Sequence, residues 1–190
     1  MKIAFLNAQN GIGITRGWWQ YFTSGWKYIL PHNSETIEQI GDWIRSVHPD
    51  IAVLTEIDGG SFRTGNKNQI DILTGKTGLH AQFFPTHAFG KILNQGNALL
   101  SRFPIEEPAS IKLPGTGEPR FLGSATISID QQRYTLYVTH LGLNAMRRRQ
   151  QIAAIAKQLF LDRPTILAGD FNEKDDSALN PLRSMGLVET

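Results

Sequence analysis

Pro164–Asn172 reads PTILAGDFN, a short apolar run that closes on a glycine, an aspartate and, two residues later, an asparagine. Apolar residues bounded by proline and glycine over this length read as a buried strand. The carboxylate and the amide then fall where the strand stops, a position that holds a side chain rigidly while leaving it accessible. The same arrangement recurs along the chain. Lys2–Asn7 (KIAFLN) ends in Asn7, Ile51–Thr55 (IAVLT) ends at Glu56, and Tyr134–His140 ends in His140. Asn7, Glu56, His140, Asp170 and Asn172 thus share one structural position, the end of an apolar strand or the turn after it.

The segments between these strands set the fold class. Ser34 caps an expected helix with Glu35 and Glu38 in its early turns, where carboxylates complement the helix dipole. Ile37, Ile40, Ile44 and Val47 recur along it at helical spacing, and His48-Pro49-Asp50 stops it. Asn68–Thr77 reads as a short helix ended by Gly78, and Ala81–Pro85 and Asn97–Ser101 as strands. Pro108–Pro119 is turn-rich around a short strand at Ser110–Leu113. Leu122–Ile129 and Tyr134–His140 flank Asp130-Gln131-Gln132-Arg133 as a hairpin. Asn144–Leu161 reads as a helix with Ile152, Ile155, Ala156 and Leu159 inside, and Ser177–Met185 as a last short one. A strand–helix–strand–helix start, a run of strands and a helix–strand–helix finish imply packed sheets with helices outside, not a strictly alternating parallel fold.

Composition narrows the function. The 190 residues are 41% hydrophobic and 19% charged, with 18 Gly and 9 Pro, which suits one turn-rich globular domain and excludes disorder, coiled coil and collagen-like repeats. No apolar run approaches the roughly 20 residues a transmembrane helix needs. With no cysteine, disulfides, thiolate nucleophiles and Cys-ligated zinc are excluded. The N-terminus lacks the hydrophobic core and cleavage site of a signal peptide, so a cytoplasmic location is expected. Nineteen basic against 17 acidic residues leave a net charge of +2, too little by itself for a polyanion-binding surface. Asn7, Glu56, Asp170 and Asn172 all offer oxygen, the donor a hard cation such as Mg²⁺ prefers. His140 can donate a hydrogen bond or proton to a phosphoryl oxygen.

Taken in order, Asn7, Leu54-Thr55-Glu56-Ile57-Asp58, Gly96–Ile105 (GNALLSRFPI), Thr139-His140-Leu141 and Gly169-Asp170-Phe171-Asn172 resemble the endonuclease/exonuclease/phosphatase superfamily, the fold of deoxyribonuclease I. The resemblance implies an α+β fold: a two-sheet β-sandwich flanked by helices on both outer faces, in four layers. It further implies Mg²⁺-dependent phosphoester hydrolysis, with Mn²⁺ as a substitute, most simply of a phosphodiester. On the matched positions, Glu56 and Asn7 hold the metal, Asp170 and Asn172 orient the attacking water and the phosphate, and His140 stabilises the transition state or protonates the leaving group. Arg120 sits where relatives carry a phosphate-contacting arginine. Arg147 and Gln150 open the following helix as in bacterial members, while Arg63, Asn68 and Gln69 match a bacterial subgroup and are expected at a cleft rim. Asn97 either positions substrate or, with Gly96, simply makes a turn. Arg148 and Arg149 read as a solvated helix face, since three successive residues of a helix point in different directions.

The resemblance also sets an expectation at the C-terminus. The family ends in an Asp-His pair, but the five histidines here are His32, His48, His80, His87 and His140, all before Asp170. The expectation is a single domain, 1–190, truncated at its C-terminus, with a binding module that has lost this histidine as the alternative. The substrate is expected to be a nucleic acid, a phospholipid headgroup or a small phosphodiester, with no obligate protein partner. Trp18, Trp19 and Trp26, in an aromatic stretch, either pack a loop onto the domain or touch a base or a membrane surface.

Overall fold

The computed structural model describes residues 1–8, 35–90, 92–173 and 175–189. Ser34 and the tryptophans Trp18, Trp19 and Trp26 lie outside these residues. The chain divides into two compact units, Met1–Ile105 and Glu106–Thr190, each built on one four-stranded sheet. Both sheets are mixed and both carry helices, so the chain is α+β, as expected.

In the first unit the elements are β1 (Ile3–Asn7), α1 (Glu35–Val47), β2 (Ile51–Asp58), α2 (Gln69–Thr77), β3 (His80–Phe89) and β4 (Leu93–Ser101), with sheet order β1-β2-β4-β3. β1 and β2 run parallel, and β4 is antiparallel to β2 and β3. The isoleucines of α1 do what their spacing predicts. Ile37, Ile40 and Ile44 are buried against Ala4, Ala52, Leu54, Ala98 and Leu100 of the sheet, and Ile70 and Leu73 of α2 join the same cluster. Each such side chain contributes about 1.5–3 kcal/mol on leaving water, which seats both helices on one face of the sheet.

The second unit runs β5 (Glu106–Lys112), β6 (Phe121–Ile129), β7 (Gln132–His140), α3 (Ala145–Gln158), β8 (Thr165–Asp170), a 3₁₀ turn (Asp176–Leu179) and α4 (Asn180–Arg183), with sheet order β5-β6-β7-β8. β5, β6 and β7 are antiparallel and β8 lies parallel to β7. Ile152, Ile155 and Leu159 pack on Leu122, Tyr137 and Leu141, with Ala178 and Leu182 from the C-terminal segments closing the cluster.

Several boundaries differ from the sequence reading for local reasons. β3 continues past Pro85 to Phe89 by shifting register between Pro85 and His87, which accommodates the proline's missing N–H. Gly96 and Asn97 belong to the interior of β4, not to a turn. A Cβ at Gly96 would stand 2.3 Å from the Phe84 carbonyl oxygen, so glycine here allows close backbone approach. The β6–β7 turn has only two central residues, Asp130 and Gln131, both with left-handed φ (48° and 67°), so β7 begins at Gln132. α3 ends at Gln158 rather than Leu161, and the Tyr137 hydroxyl accepts from the Phe160 N–H just beyond it. The expected single helix over Ser177–Met185 is split, with Pro181 in the first turn of α4.

Candidate active site

In the first unit Asn7, Glu56 and Asn97 lie on three neighbouring strands, β1, β2 and β4. Asn7 ends β1 in register with Thr55 of β2. Between Leu54 and Ile57, β2 takes three steps while β4 takes two from Ala98 to Gly96, so Thr55 and Glu56 bulge opposite Asn97. Glu56 sits in the left-handed region (φ 57°), a conformation costing a non-glycine residue about 1–2 kcal/mol. The bulge re-aims the carboxylate and places its Oε1 3.5 Å from Asn7 Nδ2. Asn97 is buried in the strand facing this bulge. The sequence expectation of a bare strand end at Thr55 misses the bulge, because nothing in IAVLTEID marks a left-handed glutamate.

The loop after β2 is organised by Asp58, which is fully buried. Its carboxylate accepts from the Ser61 hydroxyl (2.6 Å) and the Gly60 N–H (2.9 Å), and its own N–H donates to Gln69 Oε1. Arg63 and Asn68 belong to this frame rather than to an open rim. Arg63 is buried with its Nη2 3.6 Å from Asp58 Oδ2, while its Nε and Nη2 have no hydrogen-bond partner. The Asn68 side chain is engaged as the N-cap of α2, accepting from the Ile70 N–H at 2.9 Å.

In the second unit β7 and β8 run parallel and finish together, with His140 and Asp170 as register partners. Register partners on adjacent strands project side by side on one face. His140 Nε2 stands 3.8 Å from Asp170 Oδ2. The other carboxylate oxygen, Oδ1, accepts from the Asn172 N–H at 2.9 Å, and Asn172 Nδ2 donates to the Leu141 carbonyl at 2.9 Å. Asn172 is itself left-handed (φ 50°), which folds the loop back over the strand ends. Just before the carboxylate, Gly169 has φ 151°, and a Cβ there would lie 1.9 Å from the Thr139 carbonyl oxygen, so only glycine lets β8 approach β7 this closely.

Burial pushes the His140 imidazole down to about 4, the positive charge of Arg120 acts in the same direction, and Asp170 opposes both. At neutral pH the ring is uncharged and can offer an N–H to an oxygen without carrying a formal charge. Arg120 pairs with Glu118 (Nη2–Oε2 2.7 Å), yet its Nε is buried with no hydrogen-bond partner. A buried guanidinium nitrogen left unsatisfied beside a neutral histidine suits an anionic oxygen.

α3 corrects the arginine expectation. Arg147 is exposed and reaches toward the Gly115–Gly117 turn, where a Cβ at Gly117 would lie 3.3 Å from its Nη1. Arg148, expected in solvent, is 8% exposed, and Gln151 rather than Gln150 accompanies it inward at 3%. The signal was present in the spacing: Arg148 lies four residues before Ile152 and Gln151 four before Ile155, on the helix's inner stripe. Arg149 does stay at the surface, 3.3 Å from the exposed Asp175. Glu173, the acid that meets Arg148, has no counterpart in the sequence reading.

Among the described residues no three His, Asp or Glu side chains gather as a ready metal cage. The donor set present is one carboxylate, Glu56, beside the Asn7 amide. That all-oxygen set fits a hard cation that binds through one or two carboxylates and keeps most of its water.

The comparisons with known proteins agree with this architecture. No curated protein matches the chain significantly. Among solved structures, an endonuclease/exonuclease/phosphatase family protein from Leptotrichia buccalis superposes with a TM-score of 0.72 at 18% identity, covering 98% of this chain and 73% of its own. The mannosyl-6-phosphatase Bt3783 of Bacteroides thetaiotaomicron gives 0.70 at 15%, over 98% of this chain and 71% of its own. An endonuclease/exonuclease/phosphatase from Beutenbergia cavernae gives 0.68 at 19%, over 90% of this chain. This chain spans about half the length of that last relative, 47%. At these identities the likeness is one of fold. The family model for the Endonuclease/Exonuclease/phosphatase family matches residues 6–189, nearly the whole chain, and on that match the chain belongs to this family.

Proposed function

We propose that this chain is a divalent-metal-dependent phosphoesterase, acting on a phosphodiester of a nucleic acid, a lipid headgroup or a small molecule. The observation that carries the reading is the cluster of His140, Asp170 and Asn172 at the matched ends of β7 and β8. Glu56, steadied by Asn7 and set on its bulge, would hold Mg²⁺ or Mn²⁺. Bound there, the cation would draw charge from the phosphoryl group. Asp170 has one oxygen committed to the Asn172 N–H and the other directed to the His140 side. It accepts a proton from the attacking water and aligns it. Neutral His140 donates a hydrogen bond to a phosphoryl oxygen as charge builds there, and Arg120 Nε supplies a second donor. Asn97 lies on the neighbouring strand opposite the Glu56 bulge.

Hydrolysis of bis(p-nitrophenyl) phosphate tests the reading. Activity should appear with Mg²⁺ or Mn²⁺ and vanish with EDTA. Glu56→Ala and Asp170→Ala should each lower kcat by about 10²-fold or more while the chain stays folded. Either variant hydrolysing at the wild-type rate would overturn the assignment. Phosphodiester binding without hydrolysis by the wild-type chain would instead favour the binding module.

A further inference from the structure

Arg148 makes a set of contacts that the reaction itself does not use. Its Nε and Nη2 form a fork to Glu173 Oε2 and Oε1 (3.0 and 3.2 Å), and both side chains are more than nine-tenths buried. Its Nη1 donates to the carbonyls of Gly142 (3.3 Å) and Leu143. Gln151, one turn along α3, accepts from the Gly142 N–H at 3.0 Å and donates to the Pro114 carbonyl at 3.2 Å. Glu173 Oε1 also accepts from the Asp175 N–H. One guanidinium therefore ties together two loops. The first leaves β7 directly after His140, and the second leaves β8 directly after Asp170 and contains Asn172.

Burying two charges is costly, and an apolar pair of the same size is often as stable or more so. What an apolar pair cannot supply is the planar fork that fixes a carboxylate on one side and two carbonyls on the other. We propose that Arg148, with Glu173 and Gln151, is a positioning brace that sets the His140 loop against the Asp170–Asn172 loop. The proposal rests on the phosphoesterase reading for its consequence in catalysis, though not for its geometry. Beside the brace, the Leu141 N–H donates to the Asp170 carbonyl (2.8 Å) and Asn172 Nδ2 to the Leu141 carbonyl. Those bonds pin the strand ends, and Arg148 joins the next residues, Gly142 and Leu143, to Glu173.

The test uses the full chain with Arg148→Met/Glu173→Met, which removes the charges as a pair, and Arg148→Lys, which keeps the charge and loses the fork. Arg149→Ala, on the exposed side of the helix, is the control. Two readouts are taken: kcat and KM for bis(p-nitrophenyl) phosphate with Mg²⁺, and the NMR resonances of the His140 ring and the Asn172 side-chain amide. The double variant should melt near the wild-type temperature, lose about tenfold or more in kcat with little change in KM, and move both resonances, because a displacement of about 1 Å is enough for such a loss. Arg148→Lys should do the same in part, and decides the matter should the double variant fail to fold. Resonances at their wild-type positions in a folded variant would overturn the proposal, whether or not activity falls with the folded fraction. If the wild-type chain hydrolyses nothing, the phosphoesterase reading fails, and the resonances alone still decide the brace.

Discussion

His140 is buried at the end of β7 with the charge of Arg120 bearing on it and Asp170 3.8 Å away, and its imidazole titrates near 4. An imidazole whose folded-state pKa lies below its ordinary 6.5 binds its proton more readily once unfolded. Its contribution to stability is therefore complete above pH 6.5 and is lost as pH falls from there to about 4. The difference corresponds to about 3 kcal/mol over the full range. Urea unfolding of the wild-type chain and of His140→Gln, at several pH values between about 7 and 4, should therefore show the wild-type losing about 2–3 kcal/mol more than the variant. Parallel pH dependences would mean that the ring is not held neutral. His140, Asp170, Glu56 and Asn7 were legible as residues, because each closes an apolar run with a polar side chain. The protonation state of His140 was not, because it depends on burial and on an arginine twenty residues earlier.

Among the elements, the two strand ends that present Asp170 and Glu56 are both distorted, and differently. β8 needs Gly169 at φ 151° against the Thr139 carbonyl, whereas β2 bulges at Glu56. Gly169→Ala should therefore cost roughly 3 kcal/mol or more, from a combined clash and strained φ. Gly75 offers the contrast. It lies in the exposed interior of α2, and an added Cβ would meet nothing within 4 Å. Gly75→Ala should raise stability by about 0.5–1 kcal/mol. Thermal melts of the two single variants check both signs, and a tolerated Gly169→Ala would mean that β8 is not held against β7 by this contact. Periodicity predicted α1, α2 and the β6–β7 hairpin well, since isoleucines at helical spacing and a polar turn between apolar runs are local signals. The bulge and the continuation of β3 through Pro85 depend on what a neighbouring strand offers, and local pattern carries little of that.

For the chain as a whole, a net charge of +2 argues against a strong sequence-independent grip on nucleic acid. Fluorescence anisotropy of a labelled DNA duplex between about 50 and 200 mM salt should give a slope of log affinity against log salt no steeper than about −2. A steeper slope would mark a basic track and favour a nuclease, while co-sedimentation with liposomes would favour a lipid headgroup. No helix among the described residues is long and apolar enough to cross a membrane. The sequence by itself determined the α+β class, the family and the polar residues that end the strands, because ordered short motifs and hydrophobic period are properties of the chain alone. Tertiary structure decided the left-handed Glu56, the neutral His140, the engagement of Asn68 as a cap and the buried Arg148–Glu173 brace. Each of these depends on hydrogen-bond partners and burial that exist only once distant segments are packed side by side.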